Sequence, residues 1–362
     1  MTGKAAIFTK AREPMEIREL PLPEVEPNGI LVKVTLANIC GSDIHIWHGD
    51  TPLRPGAHII GHEMAGKVHE LGENIKSDSS GLPLSVGDRI IYPYFYFCGR
   101  CYACLKGERA ACINMMRNPA EHAGVYISMG AYAEYYYLRP NHYVFKVPQQ
   151  LSDEMVSPVN CALSQVIYGL QKAHLQFGDT VVIQGAGGLG IYATAVARDM
   201  GAAKVIVIDK YPERLKMATE FGSNHVINLT ELETEEARIK RIRELTNGWG
   251  ADVVVEVVGS PQVIPEGMRM LKNCGRYLVM GSINPKQMVS IEPARLIFGR
   301  HSIIAIATYE PWVIPQALDF LDRNKERYPF DKLISHKFTL NQIDEAFRLS
   351  EEGKVVRAAI VF

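Results

Sequence analysis

Four cysteines stand close together at Cys98, Cys101, Cys104 and Cys112, with the spacing C-x2-C-x2-C-x7-C. Thiolates at such short intervals let one loop wrap a tetrahedral metal ion, and four of them leave no coordination position open. The pattern therefore predicts a structural zinc site. An iron–sulfur cluster is the alternative because it also uses four cysteines, but no neighbouring feature suggests electron transfer.

A second set of candidate metal ligands is scattered along the chain: Cys40, His62 with the adjacent Glu63, and Cys161. Each has an ordinary structural explanation when taken alone, since a lone cysteine is usually a small buried hydrophobe. The total of seven cysteines is odd, however, and the chain is long. These properties argue against a disulfide scaffold and for metal binding.

The third chemical feature is a glycine-rich segment, Gly185-Ala-Gly-Gly-Leu-Gly190, which fits the pattern G-x-G-x-x-G. It follows the strand-like run Thr180-Val-Val-Ile-Gln and begins a helix-like run, which is the context that a dinucleotide phosphate loop requires. Such a loop turns tightly, approaches a pyrophosphate closely, and presents the unpaired N–H groups of a helix N-terminus to the phosphates. The predicted cofactor-binding residues of the loop are Gly185, Gly187, Gly188, Leu189 and Gly190.

Asp209 ends the next predicted strand, Lys204-Val-Ile-Val-Ile-Asp. A carboxylate at this position accepts hydrogen bonds from the adenosine ribose hydroxyls and repels a 2′-phosphate, which favours NAD over NADP. Lys210 and Arg214 lie near enough to attract a phosphate, so NADP stays open as the less favoured cofactor.

The elements that must position these residues change character along the chain. In the first 150 or so residues, apolar and polar residues alternate in runs such as Ile30-Leu-Val-Lys-Val-Thr-Leu, and closely spaced Gly and Pro indicate many short strands. From Leu163 onwards, continuous β-branched runs such as Asp252-Val-Val-Val-Glu-Val alternate with helical segments. This alternation predicts an α/β fold with a parallel sheet that is covered on both faces.

The composition limits the class of protein further. A chain of 362 residues suits two domains, and its 47% hydrophobic and 22% charged residues are typical of a globular protein. The net charge is -1 and no dense run of Lys or Arg is present, which argues against nucleic acid or a membrane surface as partner. Because no signal-peptide segment and no long apolar stretch is found, we expect a cytoplasmic protein.

The ordered motifs resemble those of the zinc-containing medium-chain dehydrogenases, the superfamily of the zinc-containing alcohol dehydrogenases. Gly61-His-Glu-Met-Ala-Gly66 is similar to the zinc signature of that family, and Cys40-Gly-Ser-Asp and Val86-Gly-Asp-Arg follow its pattern as well. The likeness extends to Gly353-Lys-Val-Val-Arg-Ala near the C-terminus. The segment Cys40-Gly-Ser-Asp-Ile-His also resembles the polyol, butanediol and threonine dehydrogenase branch.

The resemblance implies a layout of two domains. A catalytic domain with a GroES-like β core would comprise residues 1–164 and 308–362, and a Rossmann NAD-binding domain with a doubly wound parallel sheet would comprise residues 165–307. The active site would lie in the cleft between them. Because the family usually dimerises through the edges of its Rossmann sheets, we expect a homodimer or a homotetramer.

The resemblance also implies roles for single residues. Cys40, His62 and Cys161 would hold a catalytic zinc ion, with water or a substrate oxygen as the fourth ligand. Glu63 would lie behind the ion and exchange in as a ligand during turnover. Asp43 would accept a hydrogen bond from His62 and so fix the tautomer of that imidazole. With the four-cysteine loop, the chain would then hold two zinc ions.

The implied reaction is the transfer of hydride from an alcohol to NAD. Zinc would act as a Lewis acid that lowers the pKa of the alcohol hydroxyl, and hydride would pass from the alkoxide to the nicotinamide. Ser42 would hydrogen-bond the alkoxide and begin a proton relay, and His45 would continue it to solvent, with a plain surface role as the alternative for His45. Arg357 resembles an arginine that contacts the cofactor pyrophosphate, with a plain surface arginine as the alternative.

The substrate is the least defined part of the prediction. Tyr94 and Trp47 are predicted to line the pocket, which favours a hydrophobic or cyclic secondary alcohol, although core packing explains aromatic residues equally well. The resemblance to the polyol branch favours a polyol, a 2,3-diol or an amino alcohol instead. Two other hypotheses are an NADPH-dependent carbonyl reductase and a zinc- and nicotinamide-binding protein without catalysis.

Overall fold

The two ends of the chain meet in one structural unit. In the computed structural model, which describes residues 1–51, 53–115 and 120–362, a first unit comprises Met1–Ser164, Glu310–Glu326 and Phe330–Phe362. A second unit comprises Gln165–Tyr309 and Arg327–Pro329. The C-terminal segment therefore completes the unit that the N-terminal segment begins.

The strands, numbered along the chain, are β1 Thr2–Ile7, β2 Glu16–Pro21, β3 Ile30–Asn38, β4 His58–Ile59, β5 Glu63–Leu71, β6 Arg89–Ile91, β7 Ala120–His122, β8 Val125–Ile127, β9 Tyr135–Leu138, β10 Phe145–Lys146, β11 Thr180–Gln184, β12 Lys204–Asp209, β13 His225–Asn228, β14 Ala251–Glu256, β15 Leu271–Val279, β16 Ser302–Ala305, β17 His336–Thr339 and β18 Ala358–Val361.

The helices are α1 Gly41–His48, α2 Tyr102–Leu105, α3 Asp153–Val156, α4 Ser164–Lys172, α5 Gly188–Asp199, α6 Pro212–Glu220, α7 Glu235–Leu245, α8 Ile264–Met270, α9 Pro293–Gly299, α10 Val313–Asn324 and α11 Ile343–Glu351, and a π-helical turn spans Val159–Leu163. Within the described ranges, none of the helices combines the length and the apolar character that a bilayer crossing requires.

The first unit is built on a mostly antiparallel sheet of seven strands in the order β10-β6-β5-β3-β18-β17, with β9 also paired to β3. Strand β3 is buried along nearly its whole length because it has partners on both sides. Two smaller sheets, β1-β2 and β4-β8-β7, complete the β-rich unit. The pairing of β3 with both β5 and β18 brings three distant parts of the chain together, and these three parts carry the candidate site.

The second unit contains six parallel strands in the order β13-β12-β11-β14-β15-β16. Its central strands are continuous apolar runs, and β14 is buried at every position. Such runs occur where helices cover both faces of a parallel sheet. The predicted α/β class with a doubly wound parallel sheet is confirmed.

Candidate functional site

The start of helix α1 organises one side of the candidate metal centre. Cys40 is the residue before the helix, and its backbone N–H donates to Oδ2 of Asp43 at 2.9 Å. This bond satisfies an N–H group that the helix itself cannot pair. The helix ends at Gly49, which is in the left-handed conformation. Cys40, Ser42 and Asp43 all lie at the start of this one short helix, which fixes their positions relative to one another.

Strand β5 supplies the other side. Glu63 is its first residue and lies opposite Asn38, the last residue of β3, in the antiparallel pairing of the two strands. Gly61, with φ of +81°, turns the chain into this strand where a Cβ would meet the ring of Tyr132. Because Cys40 follows β3 and His62 precedes β5, the pairing of the two strands places these side chains next to each other.

Cys161 reaches the same place from the π-helical turn, all five residues of which are buried. Its Sγ lies 3.2 Å from Nε2 of His62. The preceding Asn160 donates from Nδ2 to the backbone carbonyl of His62 at 3.0 Å, which ties the turn to the start of β5. A π turn rotates the chain out of α-helical register, and such turns are common at functional sites.

The four side chains form a compact donor cluster. One ligand atom from each of Cys40, His62, Glu63 and Cys161 lies within 4.8 Å of the others, and all four residues are buried. Two thiol groups, an imidazole and a carboxylate are the donors that zinc prefers. The structure thus brings together all four residues that the sequence predicts for the catalytic metal.

Asp43 and Tyr132 orient the imidazole of His62. Asp43 Oδ1 lies 3.0 Å from Nδ1 of the histidine, while Oδ2 accepts the hydroxyl of Tyr132 at 2.9 Å. Nε2 is therefore left to face Cys161, and it also lies 3.4 Å from Oγ of Ser42. Burial alone would lower the pKa of His62, but the charge and hydrogen bond of Asp43 and the neighbouring Cys40 raise it to about 10.

The two thiols differ in their acidity. A hydrogen bond from Cys161, together with His62, lowers the pKa of Cys40 well below its usual value, although burial opposes this effect. The same hydrogen bond and burial raise the pKa of Cys161.

Glu63 has one carboxylate oxygen to spare. Its Oε2 accepts Nδ2 of Asn38 at 3.2 Å and pairs with the guanidinium of Arg357. Its Oε1 is buried, and no hydrogen-bond partner for it exists among the described residues. An unpaired buried carboxylate oxygen is costly unless a cation or donor compensates it. A carboxylate with one unpaired oxygen, grouped with two thiols and an imidazole, fits a bound metal ion.

The other residues predicted for the active site have different surroundings. His45 lies 3.0 Å through Nδ1 from Oδ2 of Asp50 and is partly exposed. Tyr94 packs against the ring of His62, with 4.7 Å between ring centroids, and burial raises the pKa of its phenol well above the usual value. Trp47 packs against Phe347 in the core, with 6.0 Å between ring centroids. Their predicted roles in proton transfer and substrate binding stay predictions.

The same holds for the predicted contact of Arg357 with a pyrophosphate. Arg357 precedes β18 and is buried, with its side chain 5% exposed and its guanidinium directed at Glu63. The plain surface role for Arg357 is thereby excluded, since the residue serves as the counter-charge of a buried carboxylate.

The four-cysteine loop forms a second donor cluster in the first unit. The sulfur atoms of Cys98, Cys101, Cys104 and Cys112 lie within 4.8 Å of one another. Sγ of Cys101 is 3.6 Å from that of Cys104 and 3.9 Å from that of Cys112. A tetrahedron with Zn–S bonds of about 2.3 Å has edges of about 3.8 Å, so the spacing fits a single ion.

The pKa values of these thiols differ, because hydrogen bonds and burial affect each thiol differently. The side chain of Asn114, assisted by the backbone N–H of Arg100, holds the pKa of Cys98 at about 6. Burial raises the pKa of Cys104 to about 12. Asn114 donates from Nδ2 to Sγ of Cys98 at 3.4 Å.

In the second unit, the glycine-rich loop joins β11 to α5. Gly185 has φ of +102°, a conformation that favours glycine, and a side chain at Gly190 would collide with the carbonyl oxygen of Gly185. Gly187 is the residue before the helix, no side chain caps the helix there, and a Cβ at Gly187 would face open space. The uncapped N-terminus with room beside it fits a phosphate group, and Gly188 and Leu189 form the first turn.

Asp209 lies at the end of β12 and joins this loop directly. Its Oδ2 accepts the backbone N–H of Ala186 at 2.7 Å, and its Oδ1 accepts those of Lys210 and Tyr211 at 2.7 and 2.9 Å. The side chains of Lys210 and Arg214 lie against the ring of Tyr211, at 4.8 and 4.6 Å from its centroid. Two cations thus stand near the carboxylate that the sequence predicts for ribose binding.

Several residues of these sites were not predicted. At the first donor cluster, Tyr132 contacts Asp43, Asn38 contacts Glu63, and Asn160 contacts the backbone of His62. At the four-cysteine loop, Asn114 contacts Cys98. The only sequence signal was position: Asn114 follows the last cysteine by two residues, and Asn38 precedes Cys40 by two. Tyr132 carries no such signal, because its contact depends on tertiary packing.

Comparison with known proteins gives family matches in both parts of the chain. Residues 26–149 match the alcohol dehydrogenase GroES-like domain, and residues 188–323 match the zinc-binding dehydrogenase domain. The chain is 31% identical over 359 residues to 5-exo-hydroxycamphor dehydrogenase of Pseudomonas putida, covering 99% of this chain and 98% of that protein. It is 29% identical over 352 residues to L-threonine 3-dehydrogenase of Bacillus subtilis, covering 95% and 94%.

Solved structures agree with these matches. The crystal structure of an alcohol dehydrogenase from Thermotoga maritima superposes with a TM-score of 0.92 at 30% identity, covering 100% of this chain and 99% of that one. An alcohol dehydrogenase from Thermus sp. ATN1 superposes with a TM-score of 0.85 at 28% identity, covering 99% of each chain.

Proposed function

This chain belongs to the zinc-containing medium-chain dehydrogenase family, and we propose that it oxidises a small-molecule alcohol with NAD at a zinc ion held by Cys40, His62 and Cys161. The observation that carries the proposal is the cluster of one ligand atom from each of these residues and Glu63 within 4.8 Å. A second zinc ion is proposed for the four-cysteine loop, where it holds the loop and takes no part in the reaction.

The chemistry that zinc supplies when bound is Lewis acidity, which makes the proton of an alcohol easier to remove. Ser42 is placed to relay that proton, accepting it as its own hydroxyl proton passes on, because its Oγ lies 3.4 Å from Nε2 of His62, at the edge of the donor cluster. His45 follows three residues later on the same face of α1, where residues three apart are neighbours. Its Nδ1 lies 3.0 Å from Oδ2 of Asp50 and its side chain is 28% exposed, so His45 can pass the proton to solvent.

Glu63 balances the charge of the site. Oε2 is held by Asn38 and Arg357, whereas Oε1 has no hydrogen-bond partner among the described residues. We propose that the Glu63 carboxylate would serve as a further donor to a bound zinc ion and would balance part of its charge.

NAD is the proposed cofactor because Asp209 places a carboxylate at the loop that accepts the adenosine ribose. The competing hypothesis, a reductase that uses NADPH, draws support from Lys210 and Arg214, which could pair with a 2′-phosphate. The negative charge of Asp209 supports NAD, since this carboxylate accepts the backbone N–H of Ala186 in the loop and would repel a 2′-phosphate.

The proposed substrate is a secondary alcohol with hydrophobic or cyclic substituents. Tyr94 supports this class because its neutral phenol ring packs beside His62 at the donor cluster. Relatives named 5-exo-hydroxycamphor dehydrogenase and L-threonine 3-dehydrogenase support a secondary alcohol as well. The relatives named L-threonine 3-dehydrogenase and sorbitol dehydrogenase also favour the competing classes, which are polyols, 2,3-diols and amino alcohols.

A substrate panel tests the proposal. The zinc-loaded protein is given cyclic secondary alcohols, polyols, 2,3-diols and amino alcohols with either NAD or NADP, and reduced cofactor is followed by absorbance. We expect turnover with NAD on secondary alcohols, and loss of turnover in Cys40→Ser with NADH binding retained. A clear preference for NADP would contradict the assignment of Asp209. Full activity of Cys40→Ser would contradict the zinc mechanism, and no turnover on any alcohol would favour the non-catalytic hypothesis.

We also propose that the chain forms a homodimer or homotetramer through strand β16. Among the described residues this strand pairs with β15 alone, which leaves the backbone groups of its other edge unpaired there. Exposed apolar side chains lie on this strand and on the helix before it, namely Ile303 on β16 at 42% and Phe298 on α9 at 81% exposure.

A further inference from the structure

Strand β14 ends at the point where the order of the parallel sheet reverses. The chain runs from β11 to β12 and β13 on one side, and then crosses back to β14, β15 and β16 on the other. The reversal therefore lies between β11 and β14, whose last residues, Gln184 and Glu256, pair in register. Ligands of doubly wound sheets bind outside the carboxyl ends of the strands at such a reversal.

Glu256 is fully buried at this point, and its carboxylate accepts four backbone N–H groups. Oε1 accepts those of Val258 and Gly259 at 2.8 and 2.9 Å, and Oε2 accepts those of Gly281 and Ser282 at 3.2 and 2.9 Å. The first pair belongs to the loop after β14 and the second pair to the loop after β15. One side chain thus holds two loops at the carboxyl edge, and an ionised carboxylate suits four donors because it only accepts.

The loop after β14 lies against the phosphate loop. A Cβ placed on Gly185 would stand 3.2 Å from the carbonyl carbon and oxygen of Val257, and the N–H of Val257 donates to the carbonyl of Gln184 at 3.0 Å. A Cβ on Gly281 would stand 2.7 Å from both Oε1 of Glu256 and the backbone nitrogen of Gly259. The three segments are therefore in close contact, and a displacement of one segment displaces the other two.

The loop after β15 carries a polar group that lacks a protein partner. Oγ of Ser282 is buried and has no hydrogen-bond partner among the described residues, while its backbone N–H is held by Glu256. A buried hydroxyl without a partner fits a ligand that supplies one. Its place beside the reversal of the sheet matches that of the proposed dinucleotide.

We propose that Glu256 is a positioning residue for the dinucleotide, which fixes the loops after β14 and β15 beside Gly185 in the conformation that binds the cofactor. This inference rests on the proposed function, since it takes a nicotinamide dinucleotide as the ligand. Glu256 does not touch the reacting atoms, so its loss weakens cofactor binding and leaves the chemical step of the loaded enzyme nearly unchanged.

Glu256→Gln is the informative variant because it keeps the shape of the side chain but replaces one acceptor oxygen by an NH2 donor. That donor faces two N–H groups, which must then move apart. We expect the Kd of NADH, measured by fluorescence titration of the zinc-loaded protein, to rise at least about 10-fold. The KM for NAD rises in parallel, while kcat at saturating NAD changes less than about 3-fold. Glu256→Asp, which keeps the charge on a shorter side chain, should restore part of the affinity.

Glu266→Gln provides a matched control in the same unit. Glu266 on helix α8 is also a buried glutamate, but within the described residues its side-chain hydrogen bonds come from Arg238 on helix α7, at 2.6 and 3.1 Å. Its substitution should lower the thermal unfolding midpoint and leave the Kd of NADH unchanged.

Two outcomes overturn the inference alone: unchanged NADH binding in Glu256→Gln, or an equal loss of binding in Glu266→Gln, which would make the effect one of general destabilisation. If Glu256→Gln fails to fold, the Kd of NADH is compared between Glu256→Asp and wild type instead. A folded Glu256→Asp variant that binds NADH as tightly as wild type would also overturn the inference, because its shorter side chain cannot hold both loops in the same way. A wild-type protein that binds no NADH overturns the proposed function together with this inference.

Discussion

Asp43 is the residue on which the geometry of the catalytic metal centre depends most. Its carboxylate contacts Nδ1 of His62 and accepts hydrogen bonds from the Tyr132 hydroxyl and the Cys40 backbone. Two of the proposed zinc ligands are therefore held by one side chain. An imidazole bonded in this way presents a fixed nitrogen to the metal and is a better ligand because the carboxylate raises its basicity.

We predict that Asp43→Asn lowers the affinity of the catalytic site for zinc by about 10- to 100-fold. The amide can accept from His62 with its oxygen, but its NH2 group then opposes the N–H of Cys40. Competition with a chromophoric chelator measures the affinity, and kcat/KM at fixed free zinc measures the activity. Asp78→Asn is the control, since Asp78 is also buried and its carboxylate also has three hydrogen-bond partners, in this case the backbone N–H groups of Ser80, Leu82 and Lys146. Equal zinc affinity in Asp43→Asn and wild type would contradict the role of Asp43.

The residues of the catalytic cluster could be predicted to the extent that they stand in short contiguous motifs. Cys40, Ser42 and Asp43 lie within four positions, and His62 and Glu63 are adjacent, so local sequence carries their association. The contacts of Tyr132 with Asp43 and of Asn38 with Glu63 join segments that are 89 and 25 residues apart. Only the pairing of β3 with β5 and the packing above it create those contacts, and a single sequence does not encode them as a pattern.

The four-cysteine loop is the element that depends most on its metal. Its helix α2 has four residues, and its apolar side chains Tyr102, Leu105 and Ile113 are 77%, 75% and 61% exposed. A segment that buries so little apolar surface gains little from the hydrophobic effect. The bond from the Ala110 N–H to Glu310 at 2.7 Å ties the loop to the rest of the unit. We therefore expect the stability of the loop to come mainly from the proposed zinc ion.

We predict that Cys112→Ser lowers the zinc content from two ions per chain to one and exposes the loop to trypsin, which cleaves after Arg100, Lys106 and Arg109. NADH binding is expected to persist because the glycine-rich loop belongs to the other unit. Elemental analysis and timed proteolysis measure the two effects. Cys274→Ser serves as the control, since Cys274 is exposed and lies outside both donor clusters. Two retained zinc ions in Cys112→Ser would rule out the proposed structural site.

Secondary structure could be predicted where burial leaves a clear pattern of apolar residues in the sequence. The continuous apolar runs of β12 and β14 follow directly from the burial of both faces of a parallel sheet, and Pro212 at the first turn of α6 is a known start signal. The π-helical turn at Val159–Leu163 was not predictable, because its apolar residues suit an ordinary helix equally well. The turn is nevertheless what brings Cys161 to His62, so the sequence predicts this ligand only through resemblance.

At the scale of the whole chain, the pairing of distant strands could also not be predicted from local sequence patterns. Strand β18 joins the sheet of the first unit by pairing with β3, more than 300 residues earlier in the chain, and β17 pairs with β18. No periodic pattern announces a pairing over such a distance, and the resemblance to a family was the source of that prediction. The consequence for the site is direct, since β18 carries the preceding Arg357 to Glu63.

Assembly of the chain into oligomers is predicted to depend on the free edge of β16. If two copies pair β16 about a two-fold axis, the unpaired backbone groups of both edges are satisfied and the apolar side chains beside them are buried together. Phe298 stands four residues before this strand and is 81% exposed in the single chain, so Phe298→Glu should leave the fold intact while placing like charges across the two-fold axis. We expect the dissociation constant of the dimer to rise at least about 10-fold, measured by sedimentation over a range of concentrations.

Phe177→Glu is the matched control, because Phe177 is 92% exposed in the same unit but precedes β11, an inner strand of the sheet. A Phe298→Glu variant whose mass distribution equals that of wild type and of Phe177→Glu would exclude β16 as the contact and leave another face of the chain to hold the copies together.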